Sequence, residues 1–139
     1  MLGLSIRPFQ SLMVGVEYEL RSYASAVYTS SGGTESNPWT SISMWHIGLE
    51  YRPNEWLALR GGAHTEGEVY QPLSNAIRDE PVTYTVYSLG AGFGFSGIRL
   101  NIAYEYSSME FVDTWSNAAS INQVFRTTVI ADVSYQIPW

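Results

Sequence analysis

Two histidines, His46 and His64, are the residues of this 139-residue chain best suited to proton transfer or metal ligation. The chain has no cysteine, so no thiolate can complete a site, and two imidazoles without a third donor bind zinc poorly. Their expected role is polar filling of an interior. Gly92-Phe93-Gly94-Phe95-Ser96-Gly97 satisfies the pattern G-x-G-x-x-G. A dinucleotide site needs a helix next, whereas Ile98 to Tyr106 alternates apolar and polar residues like a strand. Gly90, Gly92 and Gly94 are better read as inward glycines beside a hairpin. There they leave space, or let a bulky neighbour such as Arg99 lie across the strand. Glu66, Glu68, Asp79 and Glu80 crowd one stretch and could hold divalent cations through hard oxygen ligands; the plainer reading is a solvated acidic loop. No G-x-S-x-G motif is present. Neither enzyme activity nor a cofactor is expected.

Composition narrows the class. Thirteen acids face seven bases, all of them Arg, for a net charge of −6. A nucleic-acid surface needs a dense basic patch, so none is expected. No stretch is long and apolar enough for a transmembrane helix. Transmembrane β-strands escape such a test, because only alternate residues face lipid. Ten Tyr and five Trp suit strands and membrane interfaces. Met1-Leu2-Gly3-Leu4-Ser5-Ile6-Arg7-Pro8 lacks the features of a secretory leader; the expectation is that the gene begins further upstream.

The elements that must position these residues read as strands. Period-two alternation recurs in a stub at Leu2–Ile6, from Leu12 to about Tyr28, and in Ile42–Arg52, Trp56–His64, Val82–Phe95, Ile98–Ser107 and Ser120–Trp139. Short connections lie near Pro8–Gln10, Asn54–Trp56 and Ser96–Gly97. Long ones span roughly 29–41, 65–81 and 108–122. Short turns therefore fall at one end of an up-and-down sheet and long loops at the other. Within the strands Glu17, Glu19, Arg21, Glu50, Arg52, Arg60, Arg99, Glu105, Arg126 and Asp132 all fall opposite the apolar stripe. With His46, His64 and Asn101 they are the candidate lumen-facing polar residues. The turns predict the register: Tyr51 opposite Leu59, Glu50 opposite Arg60, His46 opposite His64, Phe95 opposite Ile98, Phe93 opposite Leu100 and Tyr87 opposite Tyr106. Glu50 and Arg60 would form a cross-strand ion pair whose plain role is filling.

Two aromatic groups emerge, one at each end. Phe9, Tyr51, Trp56, Phe93, Phe95, Tyr135 and Trp139 lie toward the short turns. Tyr18, Trp45, Tyr84, Tyr87, Tyr104 and Tyr106 lie toward the long loops. Such bands suit two membrane interfaces. The chain ends on Val133, Tyr135, Ile137 and Trp139, alternating and aromatic at its last residue. This resembles the final strand of outer-membrane β-barrels and implies an assembly signal read by the barrel assembly machinery. Seven strands do not close a bacterial barrel, which has an even number. The fold class expected is therefore all-β: an antiparallel up-and-down transmembrane β-barrel. Residues 1–139 would be the C-terminal part of one such domain, completed by a missing N-terminal part.

From Trp45 to Gly62 the text resembles the late strands of the FadL/TodX-type hydrocarbon transporters. The parts that carry the likeness are the strand end Gly48-Leu49-Glu50-Tyr51, the start Trp56-Leu57-Ala58-Leu59-Arg60-Gly61-Gly62, and Tyr87-Ser88-Leu89-Gly90-Ala91-Gly92. Ile102-Ala103-Tyr104-Glu105-Tyr106 fits the next strand. Two departures are Trp139, where Phe is commoner, and the late Pro72. The resemblance implies a fourteen-strand barrel in the bacterial outer membrane, in contact with membrane lipid and lipopolysaccharide. It further implies passive uptake of small hydrophobic molecules such as long-chain fatty acids or aromatic hydrocarbons. No ligand-binding residue of that family maps onto this chain. The alternatives are a general porin, a structural outer-membrane barrel, or a soluble β-barrel or sandwich holding a ligand among its apolar residues.

Overall fold

The computed structural model describes residues 1–37, 39–69, 82–115 and 118–135, with backbone alone at 112–115 and 118–119. Ile137, Trp139, Asp79 and Glu80 lie outside the described residues. The fold is all-β. Seven strands form one antiparallel sheet: β1 (Leu2–Phe9), β2 (Leu12–Arg21), β5 (Ile42–Asn54), β6 (Leu57–Gly67), β7 (Thr83–Phe95), β8 (Ile98–Trp115) and β9 (Ala118–Tyr135). Each pairs with the next in that order, and β1 does not pair with β9. A two-stranded ribbon, β3 (Tyr28–Thr29) with β4 (Glu35–Ser36), occupies the segment between β2 and β5.

The register follows from the turns. Ser96 and Gly97 take φ of 48° and 84°, the two left-handed central residues of a type I′ hairpin, whose twist matches that of the flanking strands. Phe95, Phe93 and Tyr87 then stand opposite Ile98, Leu100 and Tyr106. Asn54 closes the turn before β6 by accepting the amides of Trp56 and Leu57 on its side-chain oxygen, at 3.2 and 2.9 Å. Beyond a bulge, Tyr51 faces Leu59, Glu50 faces Arg60 and His46 faces His64, as expected.

Several boundaries differ from the sequence reading, among them the end of β6, which runs past His64 to Gly67, and that of β5, which runs past Arg52 to Asn54. The first strand is no stub, because β1 runs on through Arg7 and Pro8 to Phe9, across a register shift after Ile6. Edge position explains the proline, whose missing N–H costs no ladder bond there. The second strand ends at Arg21 rather than near Tyr28, and its continuation folds into the β3–β4 ribbon. The stretches 108–115 and 118–122 are strand, where a loop was expected. β8 and β9 continue as a paired ladder from Ser108 opposite Phe125 to Trp115 opposite Ala118.

Side chains alternate between two faces, since the pleat has period two. One face is polar. Following the register, Glu17, His46 and His64 share a row across β2, β5 and β6. The other face is apolar. Ile6, Val14, Leu49, Gly61, Leu89, Tyr104 and Val129 form one row across all seven strands. Its large residues are exposed, with Leu49 at 49%, Leu89 at 67% and Val129 at 68% of their free surface. Few described residues are buried at all: Ile42, Met44, Ala58, Val86, Gly92 and Ser107. All six share the parity of the polar face, so the apolar stripe forms no core of its own.

Candidate functional site

The polar face curls around a cavity of about 640 Å³ with lining from six strands, β1 to β8. Glu17, His46, Arg60, His64, Asn101 and Glu105 contribute to it. Space exists there because one row across the sheet carries almost no side chains. Ser5, Gly15, Gly48, Gly62 and Ser88 are successive neighbours, and Glu105 follows on β8. A Cβ at Gly48 would meet nothing within 4 Å, whereas one at Gly62 would sit 2.9 Å from the carbonyl oxygen of Ile47. The lane is open over β5 and tight against backbone at β6.

Toward the short turns a charged chain crosses the sheet. Arg52 Nε donates to Glu50 Oε1 at 2.7 Å, and Arg60 Nε donates to Glu50 Oε2 at 2.7 Å. Arg60 Nη1 then reaches Asn101 Oδ1 on β8 at 3.2 Å, although β7 lies between them. Gly92 makes that reach possible. A Cβ there would stand 2.7 Å from Asn101 Oδ1 and 3.0 Å from Arg60 Nη1. The arm lying over the β7 glycines is thus Arg60, where sequence reasoning named Arg99. Asn101 Nδ2 completes the chain by donating to both carboxylate oxygens of Asp132, at 3.0 and 2.9 Å. Glu50, with 17% of its side chain exposed, is shared by two guanidinium groups, the charge-assisted geometry that holds long side chains in place.

Toward the long loops the histidines dominate. Their rings stack with centroids 5.4 Å apart and planes at 21°. His46 Nδ1 lies 3.6 Å from Glu17 Oε1, and it is buried without a hydrogen bond. His64 Nε2 lies 3.2 Å from Glu66 Oε1, and Tyr84 donates its hydroxyl to Glu66 Oε2 at 2.5 Å. The two imidazoles reach different carboxylates, on β2 and β6, and do not converge. Among the described residues no group of three or more His, Asp or Glu is placed to hold a metal ion. Arg21 donates to Glu19 at 2.9 Å on the same face.

Several expected residues stand apart. Arg99 and Arg126 are on the polar face but make no ion pair among the described residues; Arg126 borders a small cleft with Glu66 and Glu105. Glu66 belongs to β6, so it is not a loop carboxylate. Tyr84 sits on the polar face with Glu66, so it does not join the apolar aromatic band. Tyr18 and Trp45 do meet on the apolar face, with centroids 4.6 Å apart. The apolar residues Ile42, Met44 and Val86, buried on the polar side, escaped sequence reasoning. Their even numbering within β5 and β7 was the available sign. No family model, no curated protein and no solved structure matches this chain.

Proposed function

We propose that this protein builds part of the wall of an outer-membrane β-barrel whose lumen passes small solutes by passive diffusion. The observation that carries this reading is the segregation of the two faces. Glu17, His46, Arg60, His64, Asn101 and Glu105 contribute to the cavity lining on one face, while exposed Leu, Ile, Val and aromatic residues cover the reverse of the same sheet. In a soluble ligand-binding barrel the apolar rows would surround the cavity instead. The accessible surface of 10555 Å² also exceeds the ~7,200 Å² expected of a compact 15.6 kDa monomer. An apolar surface spanning seven strands is too large to leave against water, and lipid is the solvent that accepts it.

The solute class expected from the resemblance is a small hydrophobic molecule such as a long-chain fatty acid. A second reading, a general polar pore or a structural barrel, draws support from the charged chain Arg52–Glu50–Arg60–Asn101–Asp132 across the wall. Membrane placement is tested with vesicles of brominated phosphatidylcholine. Trp45 on the apolar face and Trp56 at the short turn are both more than half exposed, and their fluorescence should be quenched. Unquenched emission sinks the membrane reading. In proteoliposomes, uptake of a fluorescent fatty acid without ion conductance supports hydrophobic transport. Conductance without such uptake supports the pore, and the absence of both leaves a structural barrel.

A further inference from the structure

Three of the seven arginines gather on one small cavity at the short-turn end of the polar face. Arg52 on β5, Arg60 on β6 and Arg99 on β8 border a space of about 50 Å³. Small residues keep that space open. Ala58 and Gly92 stand opposite each other on β6 and β7, and a Cβ at the neighbouring Gly94 would meet nothing within 4 Å. Glu55 is the carboxylate of the lining. Glu50 and Asp132 lie outside it, the first held by Arg52 and Arg60 and the second by Asn101. Glu50 takes only the Nε atoms of its two arginines, and Arg99 makes no ion pair among the described residues. A chain with a net charge of −6 thus turns a local excess of cations toward one cavity. Such a cleft concentrates anions.

The number of arginines bears on which anion fits. Guanidinium forks match the oxygens of carboxylates and phosphates. A carboxylate offers two oxygens in one plane, whereas three arginines approach here from three strands. A phosphomonoester offers three terminal oxygens, one for each. Charge agrees, since three guanidinium groups against one carboxylate leave two positive charges in the lining, and a phosphomonoester carries roughly −1.5 to −2 at pH 7. We propose that Arg52, Arg60 and Arg99 form a binding site for the phosphate of a small phosphomonoester, seated over Ala58, Gly92 and Gly94. The inference goes beyond the proposed function. It asks only that the polar face meet water, whatever covers the apolar face.

Arg99 is the residue to replace, because Arg52 and Arg60 also hold Glu50 in the wall. The chain is folded in octyl glucoside micelles, which contain no phosphate, and titrated with glycerol phosphate by isothermal titration calorimetry. The expected result is saturable binding that Arg99→Gln weakens about tenfold, the effect of losing a charge-assisted hydrogen bond. Arg99→Lys, which keeps the charge and loses the fork, should restore part of it. Arg126→Gln removes the same charge from the same face, but Arg126 borders a different cleft; its affinity should stay within about twofold of the parent, because distant charges are screened. Acetate, with one oxygen fewer, should bind about tenfold more weakly than glycerol phosphate. Absence of saturable binding overturns the inference. So do equal losses in Arg99→Gln and Arg126→Gln, which reduce the effect to general attraction, and acetate binding as tight as that of glycerol phosphate. Equal affinity for the diester glycerophosphocholine overturns it too, by marking a lipid headgroup instead of a phosphomonoester. Brominated-lipid quenching reports on the membrane reading alone, so the failure of either leaves the other standing.

Discussion

Gly92 shows how much a missing side chain can do. Arg60 spans β7 only because that position has no Cβ, and the Arg60–Asn101 contact ties β6 to β8 through side chains where no backbone ladder can. The glycines of the polar face should therefore differ in their response to a methyl group. Gly62→Ala drives Cβ to 2.9 Å from the Ile47 carbonyl, which is backbone and cannot yield cheaply; the expected loss is about 1–3 kcal/mol. Gly92→Ala meets the far ends of Arg60 and Asn101. Those ends swing away, with loss of one charge-assisted hydrogen bond and a cost of about 1 kcal/mol after solvent screening. Gly48→Ala meets nothing and should be neutral or stabilising by roughly 0.5 kcal/mol, because it restricts the unfolded chain. Guanidinium midpoints of the protein refolded in lipid vesicles rank the three, and equal midpoints would remove the role assigned to Gly92. Glu50→Gln weakens its contacts to both Arg52 and Arg60. Because those arginines are 59% and 40% exposed, the loss should stay near ~1 kcal/mol in the same titration.

At the scale of elements, the β7–β8 turn carries the most checkable chemistry. Ser96 at φ 48° holds a left-handed conformation that an L side chain adopts at a cost of about 1–2 kcal/mol. Asn is better suited to that position of a type I′ turn, so Ser96→Asn should raise stability by about 0.5 kcal/mol. Gly97→Ala, at φ 84°, should lower it by about 1 kcal/mol. A thermal midpoint that falls for Ser96→Asn would rule out the I′ geometry. Register was legible from the sequence here because a two-residue turn leaves the ladder no freedom. The same holds for Glu50 opposite Arg60, where Asn54 pins the turn. Strand ends were less legible. Ser108 to Trp115 reads as a polar loop because Glu110 breaks the apolar stripe, yet it pairs with Gln123 in the ladder. Pattern reports which residues need an apolar partner, and a ladder whose stripe carries Glu110 opposite Gln123 shows no such pattern. The bridge over Gly92 was legible as space but not as occupant. Arg60 and Arg99 both flank β7, and only the path of the guanidinium to Asn101 decides between them.

For the whole molecule, the identity of the solvent on each face sets every other energy. Leu89 and Ser88 are adjacent on β7 and point to opposite faces, Leu89 in the exposed apolar row and Ser88 into the cavity. Lipid and water give opposite forecasts for the same mutation. If acyl chains cover the apolar face, Leu89→Arg places a guanidinium near mid-height of the hydrocarbon, at a cost of about 2–4 kcal/mol. Ser88→Arg points into an open space of about 640 Å³ and should change stability by less than about 1 kcal/mol. If water covers the apolar face instead, Leu89→Arg exchanges one exposed side chain for another and should be close to neutral. Urea titrations of folding into phosphatidylcholine vesicles measure both variants on one scale. A Leu89→Arg penalty that exceeds the Ser88→Arg penalty by at least 1 kcal/mol supports lipid on the apolar side. A penalty confined to Ser88→Arg would reverse the two faces, and the transport reading would go with them.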